Sequence, residues 1–413
     1  AGRRASKASK TRQTSFTKDK KIRLSLTHLK FNQVMALSSL PLTDCIMNPL
    51  RGPFSGSSRI PINMSLRFLH LTVKDITEET QDTKTIHFWH PIHDTLHYAA
   101  GQFLTVIPSI AGEKTRRSYS LSSSPATDMS PAITVKRIPG GLVSNYLCDH
   151  VKVGDCLEVI EPMGNLRVEP DAQATKTYVF VGAGSGVTPL MSMIKTLLHQ
   201  EPKSKIHLIY GSRHEDQIIF KKQLEILEQD YTGRFNVLHV ISQPATNWPG
   251  LKGRINQAST VYYLKQELGI DIVNSHYYLC GPLEMMEEVQ KALAIFEVPG
   301  AQIHKELFAS APSVETTESD NDVAREITLI YEGKSHRVTV LQHETILEAA
   351  LEADLDIPYS CQAGMCTACM GLCKSGTVVM DEEDGLTAGE IQKGYILTCV
   401  AHPKTDGVVI DLD

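Results

Sequence analysis

Near the C-terminus, Cys361, Cys366 and Cys369 are separated by four and two residues, and Cys399 follows after twenty-nine more. That spacing suits a 2Fe–2S cluster: three thiolates on one tight loop wrap one side of the cage, and a fourth from a distant segment closes it. Gly364 is expected to let the backbone pass close to the inorganic sulfides, where N–H groups can donate to them. A zinc knuckle would use two Cys-x2-Cys or Cys/His pairs, and Cys361 with Cys366 is not such a pair. Buried free thiols are the plain alternative. Cys373 falls outside the spacing and reads as a non-ligand.

Two further groups of chemically capable residues precede the middle of the chain. The first is Arg116-Arg117-Ser118-Tyr119-Ser120. On a strand Arg117 and Tyr119 share a face. A guanidinium forks onto phosphate, a tyrosine face packs on a flat ring such as an isoalloxazine, and the Ser120 hydroxyl can bond a ring nitrogen. The second is Gly140-Gly141-Leu142-Val143-Ser144, where glycines and a hydroxyl residue open a helix and form a phosphate nest. Taken alone, each also reads as a surface strand or a hairpin turn. Further on, Gly182, Gly184 and Gly186 stand between an apolar strand and a helix, followed by Thr188-Pro189. There a pyrophosphate could approach backbone N–H groups at the positive helix end.

The elements needed to hold these groups fall into three blocks. Residues 66–73, 83–89, 103–107, 118–121, 133–138 and 156–160 read as short strands broken by Gly and Pro, which suggests a small antiparallel β-barrel over 64–172. From 173 to 310 the pattern alternates strand and helix: strands at 177–181, 206–210, 237–241 and 277–280, helices at 190–199, 220–229, 262–268 and 284–296. This predicts an α/β domain on a parallel sheet, with ligand at the strand C-termini. A polar, acidic run over 311–324 reads as a tether. Residues 325–413 start with a hairpin at 327–331 and 336–340. A helix capped by Thr345 follows, with Ile346, Ala349, Ala350 and Ala353 on one face, then the cysteine loop, and a short helix at 388–391 before Cys399.

The chain has 413 residues and a net charge of −6, unevenly spread. Residues 1–63 hold twelve Lys and Arg against Asp19 and Asp44, which leaves −16 on the remainder. That segment is a disordered basic tail, an organelle transit peptide, or a stretch outside a mature protein starting at Met64. It lacks the interleaved aromatics of a nucleic-acid arm, so no nucleic-acid partner is expected. No apolar run is long enough for a membrane span. Nine cysteines with four grouped as ligands fit a reducing compartment, read as cytoplasmic.

Arg-x-Tyr-Ser followed by Gly-Gly-x-Val-Ser, then Gly-x-Gly-x-Gly-x-Thr-Pro and Cys280-Gly281-Pro282, resembles the ferredoxin–NADP reductase superfamily. The last ninety residues resemble a plant-type ferredoxin domain of β-grasp fold. The resemblance covers about 64–413. It implies FAD, with its pyrophosphate at Gly140, Gly141, Val143 and Ser144, and it implies a nicotinamide site at Gly182, Gly184, Gly186 and Thr188. It also implies Cys280, Gly281 and Pro282 beside the nicotinamide ring, and Glu306 and Phe308 returning to cover the flavin. Ser212 and Arg213 follow the second strand of that domain. With no acid there to take a ribose 2′-hydroxyl, Arg213 leans the reading to NADPH over NADH.

The three cofactors fit one another. A nicotinamide gives up an electron pair as hydride, a 2Fe–2S cluster takes one electron at a time, and a flavin can do both. Ser120, Thr188, Cys280, Glu306 and Phe308 are the candidate catalytic residues. The chain has no Glu-x-x-His pair for a diiron site of its own, so the expected partner is a separate electron-accepting protein. The domain order is similar to that of oxygenase reductase components, and the motifs look most like those of phenylacetyl-CoA epoxidase reductases. A reductase for a hybrid-cluster protein or another oxygenase, a redox sensor without turnover, and a structural subunit are the rival readings.

Overall fold

The computed structural model describes residues 66–91, 95–308 and 324–413. The readings of residues 1–63, and nearly all of the 311–324 tether, lie outside the described residues.

In the first block, β1 (Phe68–Thr80), β2 (Thr83–Phe88), β3 (Phe103–Val106), β6 (Arg117–Ser120), β7 (Ala132–Lys136) and β8 (Cys156–Met163) form one antiparallel six-stranded sheet, with a small hairpin of β4 (Ser109–Ile110) and β5 (Glu113–Lys114) between β3 and β6. The strand order is β6-β3-β8-β1-β2-β7, and Leu121 bridges Ile133 where the two ends approach. β1 runs longer than its apolar stretch predicts. A register shift between Val73 and Asp75 lets its first half pair with β8 while its polar second half pairs with β2. That second half carries no hydrophobic alternation, so the sequence pattern did not reveal it. Leu71, Val73, Ile86, Leu104, Ile133 and Val159 fill the interior.

The helix α1 (Leu142–Asp149) starts at Gly141 and leads into β8. In the second block the sheet is wholly parallel, in the order β12-β11-β10-β9-β13-β14. Its strands are β9 (Thr177–Ala183), β10 (Lys205–Ser212), β11 (Phe235–Ile241), β12 (Leu251–Lys252), β13 (His276–Cys280) and β14 (Ile303–Glu306). Alternate residues of β9 enter opposite cores: Tyr178 and Phe180 pack under α2 (Val187–Gln200), Val179 and Val181 on the other face. Burial on both faces explains the unbroken apolar run. The remaining helices are α3 (Lys221–Asp230), α4 (Gln257–Tyr262) and α5 (Leu283–Ile295). The helix expected at 262–268 instead begins at Gln257, where Asn256 and Ser259 form a capping box, and passes into a π-turn over Tyr263–Glu267.

The C-terminal block has β15 (Arg325–Tyr331), β16 (Lys334–Val340), β17 (Met370–Ser375), β19 (Tyr395–Leu397) and β21 (Val409–Asp411) in the order β16-β15-β21-β17-β19, with β18 (Val378–Met380) paired to β20 (Ala401–Pro403). α6 (Ile346–Glu352) is capped by Thr345, whose hydroxyl accepts from Glu348 N–H in a capping box. It buries Ile346, Leu347, Ala349 and Ala350 in the same core as Cys369 and Cys399. Ala353, expected on that face, is exposed, because the helix ends before it and Asp354 turns to φ 57°. α7 (Ala388–Gln392) precedes β19.

Candidate functional site

All three sheets meet at one cavity of about 410 Å³. The barrel contributes Arg117, Ser118, Tyr119 and Ser120 of β6 with Arg116 just before it, Phe103 of β3, Thr134 and Lys136 of β7, and Ile138. The parallel sheet contributes Ser185 and Thr188 after β9, and Glu306, Leu307 and Phe308 at the end of β14. The cysteine loop contributes Ser360, Cys361, Ala363 and Met365. Segments far apart in sequence thus line one space of ligand-pocket size.

Glu306 is a strongly perturbed acid there. Burial pushes its carboxyl up to about 8, the Ser120 hydroxyl pulls it back, and Cys361 pushes it up further. Ser120 Oγ donates to Glu306 Oε2 at 3.4 Å, while Oε1 has no partner and no exposure. A buried oxygen left unpaired beside a cavity is where a bound group's hydrogen-bond donor would fit. Phe308 lies at the rim, 43% exposed.

The glycine loop after β9 is shaped by what lies against it. A Cβ on Gly186 would stand 2.1 Å from the Cys280 carbonyl oxygen, so only glycine allows the strand ends of β9 and β13 to approach this closely. Gly182 lies near the end of β9 and Gly184 opens the turn that holds Gly186, and Gly281 and Pro282 lead from Cys280 into α5. Thr188 is buried and donates to Ser185 O at 2.9 Å. Cys280 is wholly buried and does not line the cavity; burial and the neighbouring Glu306 keep its thiol protonated. The strand order reverses direction beside β9, so this is the crevice where such sheets bind ligands.

Gly140 and Gly141 lead into α1. Ser144 Oγ accepts from Ile138 N–H at 3.2 Å, and Asn145 Nδ2 donates to Gly141 O at 2.6 Å. Val143 is buried beneath the turn. Arg117 is exposed, and Tyr119 is half-buried, its hydroxyl pushed up by burial. Ser212 is buried at the end of β10, and Arg213 is exposed beside it. A second cavity of about 850 Å³ opens next to that strand end, lined in part by His214, Glu215, Asp216 and Lys221. These residues were overlooked in the sequence, although His214-Glu215-Asp216 directly follow Arg213; Glu215 is already engaged, accepting from Ala245 N–H at 2.8 Å.

The four cysteine thiols gather at one end of the C-terminal block. Cys366 Sγ donates to Cys361 Sγ at 3.2 Å, and this bond draws Cys361 toward thiolate while pushing Cys366 up. Cys399 is pushed up by its contacts with Cys361 and Cys369. Thr398 donates both N–H and hydroxyl to Cys369 O, each at 3.1 Å, which ties the fourth cysteine's segment to the loop. Among the described residues no group of three or more His, Cys, Asp or Glu is placed to hold a single metal ion. An all-sulfur set of four suits instead the wider cage of a dinuclear cluster. Gly364 has φ 69°, and the neighbour crowding its Cβ position is Glu382, at 3.0 Å. The glycine therefore also answers to a protein loop, which sequence reasoning did not foresee. Cys373 donates to Ser375 O at 3.4 Å, on β17.

Comparison with known proteins agrees with this architecture. The oxidoreductase FAD-binding domain family matches residues 70–168, the oxidoreductase NAD-binding domain family 180–291, and the 2Fe-2S iron-sulfur cluster binding domain family 329–404. A component of the 1,2-phenylacetyl-CoA epoxidase of Escherichia coli (strain K12) is 34% identical over 84% of this chain and 98% of its own. The chain belongs to the ferredoxin–NADP reductase superfamily. Within it, the ferredoxin reductase component of 3-ketosteroid-9-alpha-monooxygenase from Rhodococcus rhodochrous is 34% identical over 84% of this chain and 97% of its own. Phthalate dioxygenase reductase has a similar fold (TM-score 0.55, 24% identity, 84% of this chain and 98% of that one). As a member, the chain is a flavoprotein oxidoreductase that takes electrons from NAD(P)H through FAD to a 2Fe–2S cluster. No helix among the described residues is long and apolar enough to cross a membrane.

Proposed function

We propose that this chain is the reductase component of an oxygenase system, delivering single electrons to a separate oxygenase protein. The observation carrying the reading is the shared cavity, where Ser120 of the barrel, Glu306 of the nucleotide sheet and Cys361 of the cysteine loop stand together. In a fused relay the flavin site and the cluster loop must adjoin, and here they line the same space. Phenylacetyl-CoA epoxidase is the favoured partner, and a ketosteroid-type monooxygenase is the next, from the names of the relatives.

In this reading Arg117, Tyr119 and Ser120 hold the flavin, and Gly140, Gly141, Val143 and Ser144 receive its pyrophosphate. Gly182, Gly184, Gly186, Thr188, Ser212, Arg213, Cys280, Gly281 and Pro282 hold the nicotinamide nucleotide, NADPH in preference to NADH. Phe308 covers the ring, and Glu306 with Ser120 sets the polarity beside it. Cys361, Cys366, Cys369 and Cys399 bind the cluster, which passes electrons singly once bound. The three blocks 64–172, 173–310 and 325–413 are the flavin, nucleotide and ferredoxin domains, with 311–324 as tether. A cytoplasmic place is supported by the described cysteines, all free thiols.

The test is reconstitution with purified oxygenase components. Product should form with NADPH, more slowly as salt rises, because residues 64–413 carry net −16 and a partner would dock by a basic face. Cys369→Ser should abolish product while NADPH still bleaches the flavin, and Arg213→Ala should lower the ratio of NADPH to NADH rates. A Cys369→Ser variant that still supports the oxygenase would overturn the proposal.

A further inference from the structure

The cysteine loop is held against the flavin cavity by basic residues from two different bodies. From the barrel, the Arg116 guanidinium lies 4.1 Å over the Tyr359 ring, donates to Tyr359 O at 3.0 Å, and reaches Asp356 at 3.5 Å. Its side chain is only 13% exposed, whereas that of Asp356 is 83% exposed. The stacking and the carbonyl bond therefore matter more than the solvent-screened ion pair. Beside it Thr105 Oγ1 bonds Ser360 Oγ at 2.6 Å, one residue before Cys361.

From the nucleotide sheet, Lys305 Nζ sits between Glu382 (3.3 Å) and Asp384 (3.2 Å); Lys305 and Glu382 are partly buried and Asp384 is exposed. Residues 382–385 brace the cysteine loop directly: Gly385 N–H donates to Gly364 O at 2.8 Å, and Glu382 packs against Gly364. Lys305 precedes Glu306 on β14. Strand alternation sends one side chain to this brace and the other into the cavity.

We propose that Arg116 and Lys305 are positioning residues for the internal electron transfer. Two clamps, one from each cofactor domain, fix the cysteine loop so that Ser360 and Cys361 face the flavin cavity. This rests on the flavin and cluster assignments above. The step served is the passage of one electron from reduced flavin to oxidised cluster, with no bond made or broken. Hydride uptake from the nicotinamide does not involve Lys305, which lies outside the cavity lining, whereas Arg116 borders the cavity as well as the loop. Loss of a clamp lowers the docked fraction, and the transfer rate falls in proportion.

The experiment compares the full chain, loaded with its cofactors, with Lys305→Glu, Arg116→Ala, and the charge-swapped triple variant Lys305→Glu, Glu382→Lys, Asp384→Lys. Amide hydrogen exchange is read over residues 355–360 and 381–386. After rapid mixing with NADPH, flavin bleaching is followed by absorbance and cluster reduction by freeze-quench EPR. Expected for K305E are unchanged bleaching, cluster reduction slowed about tenfold, and faster exchange over 381–386, with the swapped variant recovering both. R116A should show faster exchange over 355–360 and the same slowing. Wild-type cluster reduction and exchange in K305E and R116A would overturn the clamps, as would equal loss of bleaching and cluster reduction in K305E, or a swapped variant no better than K305E. A wild-type chain whose flavin bleaches without any cluster signal would instead overturn the cofactor reading, and the clamps with it.

Discussion

Glu306 shows what single residues reveal and hide. Its place before Phe308 marked it as a candidate, but its isolation depends on Ser120 and Cys361, which lie 186 and 55 residues away and are brought to it only by the fold. Its carboxyl is pushed up to about 8 from an ordinary value of 4.5. Between those values the unfolded chain has released a proton that the folded chain retains, so stability falls as pH rises through this window and levels off above it. Glu306→Gln removes the titration. The variant should gain on wild type by on the order of 2–4 kcal/mol between pH 5 and pH 8, read as unfolding free energy in denaturant titrations. A difference constant with pH would contradict the buried, protonated carboxyl. That the four cysteine thiols come together was far more legible, because their spacing is written directly in the chain. Arg116 and Lys305 carried no such mark, since their partners lie in another domain.

At the scale of elements, strands with unbroken apolar runs or clear alternation were legible, and those with neither were not. β9 was visible because both its faces are buried. The polar half of β1 and the short β18 and β20 were not, because pairing rather than side-chain pattern holds them, while β21 went unread although Val408, Ile410 and Leu412 alternate into the core. α6 was visible from its cap and apolar face, apart from its last turn. The glycine turn after β9 was legible as a motif, but the reason for Gly186 was not: it is the Cys280 carbonyl of β13. Gly186→Ala must push these strand ends apart, and overpacking of this kind costs roughly 1–3 kcal/mol. The expected result is a lower thermal midpoint together with a several-fold higher KM for NADPH, the flavin content staying normal. An unchanged KM would show that the approach of β9 to β13 does not shape the nucleotide site.

For the whole molecule, the order of three blocks was legible from the change in periodicity along the chain. Their meeting at one cavity was not, because nothing local in the sequence records which faces of separate domains touch. That meeting is the central claim: a pair of electrons enters through the nucleotide sheet, and single electrons leave through the cysteine loop, across a space lined by both and by the barrel. Anaerobic titration with NADPH, followed by visible absorbance and EPR, tests it most directly. The account predicts flavin bleaching together with a 2Fe–2S signal approaching about one spin per chain. Bleaching with no such signal would contradict it, and would leave a flavin reductase whose C-terminal domain is not connected to its flavin.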